Sequence, residues 1–216
     1  MPDPKFVLTP RQRIPWATLL LGSIAIGVFL QPNLARVLEY DRARIGHGQV
    51  WRIITCHWTH YSASHLFWDL LMFVVLGAIC ELRSRMAMLT AVAFSALLIP
   101  AVVWWLLPGL SNYRGLSGID CALFMMAAAS LARTTPDNNE PGPRTHATPV
   151  HRVALVRWTA IALTGLLLAK EVVECATRHA VFVDNIGGGF VPVPLAHLVG
   201  AAAGMVASCW LAGAQR

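Results

Sequence analysis

Charged side chains are scarce in this sequence: Asp, Glu, Lys and Arg make up 13% of its 216 residues, against 56% hydrophobic types. With a mean hydropathy of +0.56, that scarcity excludes an ordinary soluble domain and points to a membrane protein. No Cys-x-x-Cys pair occurs among Cys56, Cys80, Cys121, Cys175 and Cys209, so the spacing of a metal or redox motif is missing. No basic patch interleaved with aromatics occurs, so the formal charge of +6 does not mark a nucleic-acid partner. No small-residue cleavage site follows the first apolar segment, which argues against a cleaved signal peptide. No internal repeat and no appended soluble domain are visible.

What the chain does have is apolar segments at 15–31, 64–82, 87–107, 115–132, 153–174 and 192–212, each near the length a helix needs to cross the hydrocarbon. The expected fold is therefore all-α: a polytopic bundle of six transmembrane helices. Residues 1–14 read as a cytoplasmic tail, 15–212 as the membrane domain and 213–216 as a C-terminal tail. Within the membrane domain, 32–63 is a long outer loop, 133–152 a Pro- and Asn-rich cytoplasmic linker, and 175–191 an outer loop. The last contains Gly187-Gly188-Gly189 and is expected to cap the site. Lys5, Arg11, Arg13, Arg83, Arg85, Arg133, Arg144, Arg152, Arg157 and Arg216 fall on the side of the termini. That bias places both termini in the cytoplasm, with the chain expected in a bacterial inner membrane.

Polar residues set into such segments are costly and point to function. Ser117 opens the fourth segment within Gly115-Leu116-Ser117-Gly118, and His197 lies in the sixth within Ala196-His197-Leu198-Val199-Gly200. A serine and a histidine buried together are the minimum equipment for nucleophilic catalysis. Glycines flanking Ser117 let backbone approach closely, and a helix N-terminus favours a developing oxyanion. His197, Gly200 and Gly204 form a stripe that lets two helices pack tightly enough to bring the pair together. The second segment is led by His60, His65 and Asp69; positions 65 and 69 share a helix face. That trio fits a catalytic role, a surface role bonding loop carbonyls, or a metal site, although no second ligand cluster accompanies it.

Taken in order, Trp51-Arg52, His60-x4-His65, Gly115-Leu116-Ser117-Gly118 and Ala196-His197-x2-Gly200 resemble the rhomboid intramembrane proteases over roughly residues 15–212. The resemblance implies a serine–histidine dyad, with Ser117 the nucleophile and His197 the general base. It implies that His65 and the Ser117 backbone N–H line an oxyanion hole and that His60 organises the site. It also puts the Trp51-Arg52 loop in the outer leaflet. No metal or organic cofactor is implied; the partners are membrane-protein substrates and the lipid bilayer. Within the family, Tyr113-Arg114-Gly115-Leu116-Ser117-Gly118 is most similar to the rhombosortase branch, whose members are thought to process proteins with a C-terminal Gly-Gly, hydrophobic helix and basic tail.

Three positions depart from the family pattern. Asp69 stands where the usual residue is asparagine, and an ionised carboxylate repels an oxyanion that a carboxamide would serve. It works only if protonated, pointed away, or paired with His60 or His65. Cys121 replaces an aromatic often found one turn after the serine. Asp120 is unexpected and could orient His197 in a triad-like arrangement. Two rival functions remain at this point: a catalytically inactive relative that binds membrane clients, and a transporter lined by His65, Asp69, Asp120 and His197.

Overall fold

The structure is a computed structural model, and it describes residues 14–132, 149–177 and 193–214. The chain is mostly helical, and each of the six apolar segments carries a long helix. The first is α1 (Trp16–Phe29), which bends by 112° into α2 (Pro32–Leu38). Pro32 starts α2, where its missing N–H costs nothing. The outer loop then holds a two-residue strand β1 (Tyr40–Asp41), the short helices α3 (Arg42–Gly46) and α4 (Arg52–Thr55), and one 3₁₀ turn over Cys56–Trp58. It is therefore built from short elements and not from open coil.

Next come α5 (Ala63–Arg83) and α6 (Arg85–Leu106). Ser62 caps α5 by accepting the His65 N–H at 3.1 Å, and Ser84 caps α6 through the Ala87 N–H. Strand β2 (Asn112–Tyr113) pairs antiparallel with β1, Tyr40 opposite Tyr113, and so ties the outer loop to the approach to α7. The remaining helices are α7 (Ser117–Ala132), α8 (Pro149–Thr177) and α9 (Pro194–Ala214).

The centre of the bundle is α7. Ile119, Ala122, Leu123, Met126 and Ala127 are buried, as are Asp120, Cys121, Met125 and Ala128 on its other sides. A helix covered on every side is a core helix. It packs on α5, α6, α8 and α9, while α1 lies against α5. Glu81 of α5 anchors the start of α1 by accepting the Ala17 and Thr18 N–H groups and the Thr18 hydroxyl. That satisfies donors a helix N-terminus otherwise leaves unpaired.

The expectation of six spans is only partly met. By length and composition α5 and α6 can each cross a membrane, and the bent pair α1–α2 makes a third if taken as one span. The described parts of α7 and α9 are apolar but shorter, and α8 carries Lys170, Glu171 and Glu174 in its second half. Gly187-Gly188-Gly189 and the 133–148 linker lie outside the described residues.

Candidate active site

Two contacts between helices bring the site together. α7 and α9 approach so closely that a methyl group on Gly200 would overlap the Gly118 carbonyl, and one on Gly204 that of Ala122. These are the small residues that the close approach requires. The result is that Ser117 Oγ, at the first residue of α7, lies 2.9 Å from His197 Nε2, in the first turn of α9. His197 is buried and its other ring nitrogen is bonded too: Nδ1 lies 2.7 Å from Glu171 Oε2 on α8. A carboxylate only accepts, so Nδ1 carries the proton and the Nε2 lone pair faces the serine hydroxyl.

The turn leading into Ser117 is fixed from α5. Gly115 has φ +120°, a conformation open to glycine, and a Cβ there would stand 2.7 Å from His65 Nε2 and 2.9 Å from Asp69 Oδ2. Asp69 Oδ2 accepts the Leu116 N–H at 2.8 Å and lies 3.3 Å from His60 Nε2 and 3.2 Å from His65 Nε2. Asp69 thus joins both histidines to the backbone just before Ser117, as a hub. Of the roles open to this carboxylate, the geometry is that of pairing with the histidines. His65 is held further by a stack with Tyr61, and Arg114 lies over Tyr61 while bonding Glu39 and the His60 carbonyl.

Trp51 and Arg52 lie away from the serine and brace the outer loop. Arg52 is fully buried and donates to the Arg36 and Glu39 carbonyls and to Gln49 Oε1. Trp51 stays 45% exposed, with its indole N–H on the Val37 carbonyl. Asp120 is buried beyond Ser117 on α7 and makes no bond to His197; among the described residues its Oδ1 has no hydrogen-bond partner. The place that sequence reasoning offered to Asp120 is filled by Glu171.

Sequence reasoning missed four residues. Lys170, Glu171 and Glu174 cluster on α8, the two glutamates buried and the lysine half-buried: Lys170 Nζ lies 3.0 Å from Glu171 Oε1 and 2.9 Å from Glu174 Oε2. The available signal was three ionisable residues within an apolar segment. Glu171, Glu174 and His197 bring possible metal-ligating atoms within 4.8 Å of one another, and the Lys170 ammonium already bonds both carboxylates. The fourth is His57. Pro100 has no N–H, so the Ala96 carbonyl four residues earlier in α6 lacks its helical partner. His57 Nε2 supplies one at 3.1 Å, and its Nδ1 faces the Gly115 carbonyl at 3.4 Å. Complete burial pushes the His57 pKa down to about 4. Burial also holds His60 below the ordinary value, against the raising pull of Asp69.

Taken together, the arrangement offers a nucleophile, a base of defined tautomer and a carboxylate behind it, with a rigid turn delivering the serine to a helix N-terminus. Comparison with curated proteins returns no match. The family profile of the rhomboid domain matches residues 47–214, a stretch holding Ser117, His197, Asp69 and Glu171. The chain is an integral membrane protein and belongs to the rhomboid family.

Proposed function

We propose that this chain is an intramembrane serine endopeptidase in which Ser117 is the nucleophile and His197 the general base. The observation that carries the reading is the 2.9 Å contact between Ser117 Oγ and His197 Nε2, made across two helices. The family acts on membrane-protein substrates within the bilayer, which gives the substrate class. Ser117 Oγ attacks the scissile carbonyl carbon as Nε2 takes the hydroxyl proton. The carbonyl electron pair moves to oxygen, and the oxyanion forms at the start of α7, where the Ser117 N–H and the helix dipole favour negative charge. His197 then gives its proton to the leaving amine, and water hydrolyses the acyl-enzyme with His197 again as base.

The substrate helix unwinds near the outer surface, on the side of the Trp51-Arg52 loop. The Tyr113–Gly118 stretch supports a narrower reading, rhombosortase-like processing of C-terminal membrane anchors, with the acyl group passed to water or to another amine. The pairing of Asp69 with His60 and His65 supports activity over an inactive relative, because it turns the carboxylate to the histidines. The test is cleavage of a reporter transmembrane substrate in proteoliposomes. Ser117→Ala and His197→Ala should each abolish it, and the double variant should be no worse than either, because groups acting as one unit are not additive. Substantial turnover by Ser117→Ala would sink the serine mechanism.

A further inference from the structure

We propose that Glu171 is the positioning residue of the site, holding His197 in the tautomer and orientation that receive the Ser117 proton. The inference rests on the serine-protease reading above and extends its pair of residues to three. Three helices contribute one member each: Ser117 from α7, His197 from α9 and Glu171 from α8. The imidazole is bonded at both nitrogens, 2.7 Å to Glu171 Oε2 and 2.9 Å to Ser117 Oγ. It therefore has little freedom to rotate or exchange tautomers.

Glu171 is itself fixed. Its Oε2 faces His197 and its Oε1 accepts from Lys170, which also bonds Glu174. Glu174 Oε2 stands 3.7 Å from the same Nδ1, beyond hydrogen-bond reach. Buried carboxylates and an ammonium on an apolar helix carry a desolvation cost, and here they meet at the point where α8 faces His197. Counted with both carboxylates ionised and Lys170 as ammonium, the cluster has one net negative charge while His197 is neutral. It has none once His197 takes the serine proton. In a medium of low dielectric that balance favours the imidazolium formed during attack. The proton moves from Ser117 Oγ to His197 Nε2 and goes no further; Glu171 keeps its bond to Nδ1–H and does not become protonated.

A purely structural ion cluster would stabilise α8 without touching turnover selectively, so the test reads kcat and KM separately. In proteoliposomes with the reporter substrate, Glu171→Gln should lower kcat by up to about 10⁴-fold, the loss that follows when the corresponding carboxylate of a serine protease becomes a carboxamide, with KM within about twofold. Its reaction with a fluorophosphonate probe should slow in parallel. A kcat within about threefold of wild type would overturn the inference. Should Glu171→Gln fail to fold, nitrogen-15 NMR of the wild-type imidazole decides: a proton on Nδ1 of His197 is expected, and a proton on Nε2 would overturn the role. A wild-type chain without Ser117-dependent labelling overturns the protease reading and the role of Glu171 with it. Equal labelling of wild type and Glu171→Gln overturns the role of Glu171 alone.

Discussion

Replacing Gly200 with alanine puts one methyl group into the tightest contact between the helices that carry Ser117 and His197. The new Cβ would stand 2.8 Å from the Gly118 carbonyl carbon and 3.3 Å from its Cα. Carbon atoms in contact prefer about 3.5–4.0 Å, so α7 and α9 must part by about 1 Å at this level. Gly200 lies one turn from His197 and Gly118 is next to Ser117, so the shift falls on the Ser117–His197 contact. Starting from 2.9 Å, that contact stretches to about 3.9 Å, beyond hydrogen-bond reach. A displacement of about 1 Å at reacting groups costs on the order of 10²-fold in rate, and overpacking of a tight interior costs about 1–3 kcal/mol of stability. The assay is initial-rate cleavage of a reporter transmembrane substrate in proteoliposomes, beside thermal unfolding of the same samples. Gly165→Ala is the matched control, because among the described residues a Cβ there meets nothing within 4 Å. Gly200→Ala is expected to lose about 100-fold in kcat with a lowered Tm, and Gly165→Ala to keep both. Equal rates in the two variants would refute the steric reasoning.

Other outcomes follow from the same contacts. Burial depresses the folded pKa of His57 to about 4, from the ordinary imidazole value of 6.5. Its contribution to stability is therefore full above about pH 6.5 and is lost as pH falls toward 4. The loss is about 3 kcal/mol at roughly 1.4 kcal/mol per unit, and unfolding followed across that pH range should show it in wild type and not in His57→Gln. Asp69→Asn keeps an accepting oxygen but removes the negative charge that His60 and His65 face, and should lower both Tm and activity, by about 1–3 kcal/mol in stability; unchanged behaviour at every pH would remove Asp69 from the site. Arg52→Lys cannot reproduce the fork that bonds Arg36, Glu39 and Gln49, so thermal unfolding should show a destabilised protein. Trp51→Ala should lower stability and activity together, and loss of activity with Tm unchanged would assign Trp51 a direct contact with substrate.

Much of the site was legible because its residues stand out chemically where they occur. Ser117 between two glycines and His197 ahead of Gly200 and Gly204 are polar residues in apolar segments, and the small-residue stripe told how the two helices could meet. Asp69 was legible as a question of charge, and its close contacts with His60 and His65 and its bond from the Leu116 N–H give the pairing answer. Glu171 was not singled out, because a carboxylate near Lys170 and Glu174 reads locally as an i,i+4 ion pair. Its tie to His197 spans 26 residues and depends on how α8 docks. His57 escaped for a similar reason: its partner is a carbonyl left open by Pro100, which shows only once α6 packs against the outer loop. Apolar length marks six segments in the sequence; among the described residues two helices, or three with the bent α1–α2 pair, have the length and composition of a span.

The central claim is that Ser117, activated by His197, is a nucleophile. Treating the purified chain in membranes with a fluorophosphonate probe and locating the adduct by mass spectrometry tests it most directly. A single adduct on Ser117, lost in Ser117→Ala and strongly reduced in His197→Ala, is the expected result. Absence of an adduct in wild type, or an adduct that persists in Ser117→Ala, would contradict it.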